Sequence, residues 1–362
     1  MFKSYLKIFA AVVGFVTVTI STLNVVVDPA GIYHEGRINP DGFAAALMKS
    51  PQGLWLPDDS MDERLLAKAL SKYAGSKDCI VIGSSHVMQI SSARKHKSLT
   101  ECCQSILNLG VSGASIEDHI TLAYLALQAP SKPKRIIFGV DPWLFSYGKD
   151  LRWQAYSEEY SLARVEVFGA SPSLAESESA GPGWAKVTNL LNIAYTIRSI
   201  ETLQRDIEKG IPKITEAPAI DATIGGEQGI ILPDASHVYS RKYIQDSKNG
   251  IVPIGGGSYK TEGRLNDQDA IDDYIVLLKW VKSQGVEPVL VLTPYHENVW
   301  KAEKSHDKAA LMKTEPIVRT VASTLKLRVI GSYDPKICGC LPGEFYDAMH
   351  PKAECLSRLE PE

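Results

Sequence analysis

What this chain lacks narrows its function first. It carries no long basic run and a net charge of only −3, so it shows no electrostatic footprint for nucleic acid. It has no internal repeat, and 44% hydrophobic residues set it apart from disordered chains. Cysteine is sparse: Cys79, Cys102, Cys103, Cys338, Cys340 and Cys355. Neither the vicinal pair nor the Cys-x-Cys fits zinc spacing, so no metal site is read. Cys79 sits in an apolar strand and is read as simply buried. Pairing between the 102/103 and 338/340 clusters is left open, and it requires a compartment outside the cytoplasm. A Gly-x-Ser-x-Gly elbow is also missing, because Val87 closes "GSSHV" where the last glycine would stand; this disfavours an α/β-hydrolase.

What is present starts at the N-terminus. "IFAAVVGFVTVTISTLNVVV", Ile8 to Val27, contains no charge. A helix of that length rises about 30 Å, enough to cross the hydrocarbon core of a bilayer. Lys3 and Lys7 precede it, while Asp28, Glu35, Arg37 and Asp41 follow, so the positive-inside rule puts the N-terminus in the cytoplasm and the rest outside. The competing reading is a cleaved signal peptide, whose apolar core runs about 7–15 residues before a small-residue cleavage site. The run here is longer and "TLNVVVDP" is a poor cleavage site, so an uncleaved anchor is expected. No second apolar run of comparable length follows, so the expectation is a single-pass protein.

The full 362 residues suffice for one large domain with insertions or two small ones. Residues 1–27 read as the anchor and 28–76 as a juxtamembrane linker with one helix around "MDERLLAKALSKYAG". From residue 77 short Val/Ile-rich strands alternate with helices. "CIVIG", "SILNLG", "RIIFGVD", "EPVLVLTP" and "LRVIGSY" are the strands. "SIEDHITLAYLALQA" is a helix with Ser115 as N-cap and Glu117 and Asp118 in its first turn. "DQDAIDDYIVLLKWVKSQG" is another, ending at Gly285, and a third surrounds Pro316. Ser91 to Glu101 reads as a helix end and a loop. The alternation pauses over about 151–265, which reads as an insertion with a Gly/Pro/Ser-rich patch at Ala170 to Trp184 and a helix near Val187 to Lys209. It either shapes a substrate groove or is ornament. Strands separated by helices predict an α/β fold, a parallel sheet with helices on both faces. Sites in such sheets lie at the carboxyl ends of the strands. Those ends carry Gly83-Ser84-Ser85, Asn108 to Gly113, Asp141 and Thr293 to His296, and "FYDAMHP" follows the last strand closely.

Serine is a weak nucleophile until a base takes its proton, and the base needs a third group to fix its tautomer. In "YDAMHP", Asp347 and His350 are three residues apart. On one helical turn that spacing brings a carboxylate to the imidazole Nδ1 and leaves Nε2 free for a serine. Ser85 is the expected nucleophile, with the rival that Gly-Ser-Ser merely caps a following helix. Ser84 is read as a cap or supporting donor and His86 as a rim residue. Asn108 either ties down a loop by bonding backbone or is a plain turn-former. His296 is read as a surface histidine with a possible substrate contact, and Trp143 and Trp153 as core rather than sugar-stacking residues.

Taken together, these residues resemble the SGNH (GDSL-type) hydrolases. "IGSS" is similar to that family's first block, with Gly83 and Ser85 matching and Ser84 in place of the acidic residue. "NLGVSGAS" resembles the second, placing Gly113 at an oxyanion-hole glycine. "FGVDPW" stands at the third block and "DAMH" at the last. The blocks keep the family's order from Lys77 to Pro351, framing a domain over 77–362, and the insertion has no counterpart in them. The resemblance implies a three-layer α/β/α flavodoxin-like sheet, a Ser85–His350–Asp347 triad and no cofactor. One residue departs: Asp141 stands where the family has an oxyanion-hole Asn, and an ionised carboxylate cannot donate to an oxyanion. Either Asp141 does something else, or the hole rests on the Ser85 and Gly113 N–H groups.

With its anchor, the chain further resembles membrane-tethered SGNH-like proteins that accompany membrane-bound O-acyltransferases, as in alginate acetylation and lipoteichoic-acid D-alanylation; "VDPAGIY" after the anchor adds to the likeness. That implies a bacterial inner-membrane protein whose periplasmic or extracytoplasmic domain moves acyl groups to or from a cell-surface glycan, with a membrane-bound O-acyltransferase as partner. The alternative is a catalytically degenerate domain that binds glycan or scaffolds such an acyltransferase, which the Asp141 departure favours. A secreted lipase or peptidase fits less well, because the anchor implies work close to the membrane.

Overall fold

In the computed structural model, all residues are described except 1, 30–32, 34–37, 57–60, 95–97, 100, 102, 148–149, 170–186, 188, 211–212, 220–224, 249–265, 302–305 and 361–362. The Gly/Pro/Ser-rich patch and Cys102 therefore lie outside the described residues. The chain opens with α1 (Phe2–Val27), one helix long and apolar enough to span a membrane, with a mean hydropathy of 2.1. Length and composition suit either an anchor or a signal sequence.

The core is an α/β sheet of five parallel strands: β2 (Cys79–Ile82), β3 (Ile106–Asn108), β4 (Arg135–Gly139), β7 (Glu287–Leu292) and β8 (Arg328–Gly331). Their order across the sheet is β3-β2-β4-β7-β8. All four residues of β2 are buried, as are the last five of β7. Continuous burial means that both faces of the sheet are covered, which is why these strands read as unbroken apolar runs rather than as alternation.

The two covers differ. On one face Ile80, Ile82, Phe138 and Leu290 join a core built with helices α2 (Pro40–Leu47), α3 (Glu63–Ser71), α4 (Ile116–Leu127), α5 (Ser157–Phe168) and α8 (Gln268–Ser283). On the other, Val81, Ile137, Val289 and Ile330 pack against loop residues Val87, Ile90 and Leu99 and the C-terminal Leu356 and Leu359. That second cover is a layer of loops and one short helix, α11 (Ala353–Leu356), rather than the helical layer expected. Two disulfides staple it, Cys79–Cys103 and Cys340–Cys355. Cys79 is therefore a bonded cysteine, not merely a buried one. Neither bridge joins the 102/103 and 338/340 clusters, and Cys338 is a buried free thiol.

Three further departures matter for function. Residues 28–76 hold two helices, α2 and α3, whose Phe43, Leu47, Leu66 and Leu70 belong to the main core, so this stretch is more than a linker. The helix predicted to follow the Gly-Ser-Ser turn is absent, replaced by a single 3-10 turn over Ser85–Val87. The insertion supplies α5, α6 (Ile193–Lys209), α7 (Arg241–Lys248) and two short strands, β5 (Ile230–Ile231) and β6 (His237–Val238). These pair with β1 (Leu54–Trp55) in a small antiparallel sheet. The remaining helices, α9 (Glu297–Lys301) and α10 (His306–Leu325, with Pro316 inside), lead from β7 to β8.

Candidate active site

The site begins where β2 ends. Gly83 and Gly139, at the ends of neighbouring strands, face Val87 so closely that a Cβ on Gly139 would lie 2.3 Å from Val87 Cγ1. Only hydrogen at these positions lets the chain turn tightly enough to bring Val87 back over the sheet. Ser84 is fully buried, in extended conformation, and its hydroxyl accepts the His86 N–H at 3.2 Å. It caps the turn and leaves Ser85 as its first residue, at the carboxyl end of the strand.

Asn108, buried at the end of β3, closes that turn. Its Nδ2 donates to the carbonyls of Val87 (2.8 Å) and Ile90 (3.0 Å), and its Oδ1 accepts from Gly110 N at 2.9 Å. Asn108 thus bonds backbone on both loops and locks the Ser85 turn to the 108–113 loop, rather than serving as a plain turn-former. Beyond it, Ser112 donates through its N–H and hydroxyl to the Glu63 carboxylate, at 2.6 and 3.0 Å. Gly113 adopts φ +61°, a left-handed conformation that glycine holds without strain. Among the described residues, neither the Ser85 nor the Gly113 N–H donates a hydrogen bond.

The third element arrives from the C-terminus. Residues 346–350 form a tight loop, not the helical turn that the spacing suggested. It is closed by the Phe345–Pro351 bridge and by Tyr346 N donating to His350 O at 2.9 Å. Asp347 Oδ1 accepts the N–H groups of Met349 (2.7 Å) and His350 (2.9 Å), so the carboxylate organises its own loop. The loop hangs from β7 through His296 N donating to Ala348 O at 3.0 Å, and the Cys340–Cys355 bridge ties its two flanks.

These elements bring together the two ends of the domain. Ser85 Oγ lies 2.8 Å from His350 Nε2, although 265 positions separate them. His350 Nδ1 lies 2.7 Å from Asp347 Oδ2. A residue that no local motif singles out completes the array: Tyr243, on α7 of the insertion, donates its hydroxyl to Asp347 Oδ2 at 2.6 Å. Burial alone would raise the Asp347 carboxyl, but the bonds from His350, Tyr243 and the Met349 N–H outweigh it and hold the acid well below the usual carboxylate range. Burial, and then Asp347, push the Tyr243 phenol far up, so it stays a donor. Tyr346, stacked on Tyr243, is raised by burial to about 12. The arrangement is a hydroxyl in contact with an imidazole whose other nitrogen is fixed by an ionised carboxylate.

Ser85 and His350 open onto a cleft of about 590 Å³, lined also by Leu56, Glu63, Tyr239 and Tyr243. Two of these four come from the insertion and two from the 28–76 segment. The insertion is therefore part of the groove and not ornament.

Other expected site residues fall elsewhere. Asp141 is 3% exposed and His86 1%, and His86 Nδ1 lies 2.6 Å from Asp141 Oδ1, in an ion-pair contact angled poorly for a hydrogen bond. His86 is a buried residue, not a rim one, and its ring meets those of His350, Tyr295 and Trp143 edge-on, at centroid distances of 5.0, 5.2 and 5.5 Å. His296 is buried too, not a surface histidine. Its Nδ1 accepts from Asn298 N, and it does not line the cleft. Burial lowers its pKa. Trp143, half-buried, donates to Ala114 O at 2.9 Å, and Trp153 packs on Tyr160. Among the described residues no group of three His, Cys, Asp or Glu is placed to hold a metal ion.

No protein-family model matches the chain. Among curated proteins it is similar to a 4-hydroxy-tetrahydrodipicolinate synthase of Clostridium tetani (strain Massachusetts / E88), 31% identical over 130 residues. The match covers 36% of this chain and 40% of that protein.

Proposed function

We propose that this protein is a membrane-anchored, SGNH-like serine acyltransferase or esterase that acts on O-acyl groups of a cell-surface polysaccharide. The observation that carries the proposal is the 2.8 Å contact between Ser85 Oγ and His350 Nε2, backed by Asp347. Geometry of this kind recurs on unrelated folds and is recognised by roles rather than by sequence position. The order of the parallel strands, counted along the chain as 2-1-3-4-5, is that of flavodoxin-like sheets and supports the SGNH-like assignment. The two disulfides and the apolar α1 support an oxidising, extracytoplasmic location for the domain. The likeness to a synthase spans too little of either chain to bring that reaction here.

In this reading Ser85 Oγ attacks the acyl carbonyl carbon while His350 Nε2 takes its proton. Asp347 stabilises the imidazolium and holds Nδ1–H in place. The Ser85 and Gly113 N–H groups bind the oxyanion, since Asp141 faces His86 and as a carboxylate cannot donate. The tetrahedral species collapses to an acyl-Ser85 ester as the leaving alkoxide takes the proton from His350. Water, or the hydroxyl of an acceptor sugar, then gives its proton to His350 and attacks the ester carbonyl; the C–O bond to Ser85 breaks, and the departing Ser85 Oγ takes the proton back from His350. The first acceptor makes an esterase, the second a transferase.

The test is a serine-directed fluorophosphonate on the full-length chain in detergent. A mass increment on Ser85, absent from Ser85→Ala, is the expected result. A folded chain that takes no adduct at Ser85 overturns the catalytic reading and favours the degenerate glycan-binding or scaffold alternative.

A further inference from the structure

Helix α6 wears its polarity inside out. Ile193, Ile197, Ile200 and Ile207 follow one another at intervals of four, three and seven, so they form one stripe. All are exposed, Ile193 and Ile207 at 78% each. The residues that α6 turns inward are polar: Tyr195 is 6% exposed and Ser199 fully buried. A helix on the surface of a water-soluble domain has the opposite pattern.

What the inward face meets is α1. Asn24 is fully buried, and its Nδ2 lies 3.0 Å from Leu190 O, 3.2 Å from Asn189 O and 2.9 Å from Thr196 Oγ1. Ser199 Oγ lies 3.0 Å from Asn24 Oδ1, and the Tyr195 hydroxyl donates to Asp28 Oδ1 at 2.6 Å. Asn24 belongs to the uncharged run that ends at Val27, so at 1.5 Å per residue it lies about 4–5 Å inside that run. An amide in hydrocarbon costs several kcal/mol unless it is bonded, and α6 together with the turn just before it supplies the bonds. The first half of α6 is thus held at the depth where an apolar segment ends.

We infer that α6 is an interfacial helix: its Ile193–Ile197–Ile200–Ile207 face lies in the lipid at the headgroup–acyl boundary, beside the point where α1 leaves the bilayer. Interfacial helices bury an apolar face about 5–10 Å into that boundary, which matches the level set by Asn24. The lipid is the occupant that the continuity with α1 selects. This inference rests on the anchor reading of α1 and not on the chemistry of Ser85.

The experiment uses the full chain in phosphatidylcholine vesicles, with and without bromine on the acyl chains. Tryptophan is added singly by Phe15→Trp, in the middle of α1, and by Ile197→Trp, with Ile193→Trp as a second site on the stripe should the first variant fold poorly. Emission is read against the parent chain. The expected result is that the added tryptophan loses most of its emission to brominated lipid at both Phe15 and the stripe. Quenching for Phe15→Trp with unchanged emission at the stripe overturns the inference and leaves the anchor standing, and a protein partner or second copy then covers the stripe. No quenching for Phe15→Trp refutes the anchor and the inference with it, while labelling of Ser85 is unaffected.

Discussion

Replacing Asp347 by Asn tests the proposed chemistry at its most sensitive point. The carboxylate accepts from four groups, each of which only donates in this setting: the Met349 and His350 N–H, the His350 Nδ1–H and the Tyr243 hydroxyl, at 2.6–2.9 Å. An amide has one accepting atom and one donating atom. If its Nδ2 takes the Oδ1 side it confronts two backbone N–H groups that cannot turn away. If it takes the Oδ2 side it confronts an imidazole and a phenol, whose protons can move. The second arrangement costs less, and it forces the proton of His350 onto Nε2, which then points a donor at Ser85. A triad in the wrong tautomer loses about 10⁴ in rate, or about 5 kcal/mol of transition-state stabilisation. The lost charge-assisted bonds cost about 1.5–3 kcal/mol of stability, so folding is checked alongside by thermal melting. The assay is the second-order rate of fluorophosphonate labelling at Ser85, which needs no knowledge of the natural substrate. Ser85→Ala removes labelling outright, so ester hydrolysis supplies the coupling test. There the double variant Ser85→Ala/Asp347→Asn falls no further than Ser85→Ala alone, because groups that act as a unit are not additive. A folded Asp347→Asn chain labelled within tenfold of the parent refutes the reasoning, as does a double variant whose losses multiply.

Two further expectations come from the surroundings of the site. Cys340–Cys355 closes a loop over a separation of 15 residues that contains both Asp347 and His350, so Cys340→Ser/Cys355→Ser loses about 3 kcal/mol of stability and labels more slowly at Ser85. Cys79→Ser/Cys103→Ser loses a similar amount with its labelling rate kept, and equal labelling rates in the two pairs would contradict this. His119 is fully enclosed, and burial lowers its pKa to about 4. The folded chain therefore disfavours its protonation, and this residue withdraws about 3 kcal/mol of stability as the pH falls from about 6.5 to 4. His119→Gln should flatten that part of the stability curve in denaturant titrations, and an unchanged slope would refute the assignment.

How far the sequence disclosed this molecule depends on whether the information was local. The strands were legible because strands buried on both faces must be continuous apolar runs, and "CIVI" and "PVLVL" are. The α4 capping box was legible because Ser115 and Asp118 make it within one turn. Asp347 and His350 were legible as a pair for the same reason, although the turn that joins them is an Asx-type loop rather than a helix. Tyr243 was not legible. It is 104 positions from Asp347, and nothing within its own stretch distinguishes it from an ordinary surface tyrosine. The same holds for Glu63, whose partner Ser112 is 49 positions away. The Cys79–Cys103 bridge was missed because an apolar strand is a sufficient explanation for a lone cysteine until its partner is seen beside it.

His86 and Asp141 mark the place where local reading misled most. A residue next to a nucleophile in an exposed turn should point to solvent, and a carboxylate where an amide is expected looks like a damaged oxyanion hole. The structure corrects the first of these and gives Asp141 a partner, for one reason. Because the turn after Ser85 is a single 3-10 turn pulled down by Val87 against Gly83 and Gly139, His86 is carried into the protein, where its Nδ1 meets Asp141. The acid is then a buried polar group facing a basic side chain, which is the setting in which such a group is tolerated. The His86 ring in turn packs edge-on against the His350 ring, at a centroid distance of 5.0 Å. Asp141 and His86 are therefore better read together than separately: the two buried side chains meet each other, and the His86 ring packs edge-on against that of His350. Under the proposed chemistry, that leaves the oxyanion to the Ser85 and Gly113 N–H groups.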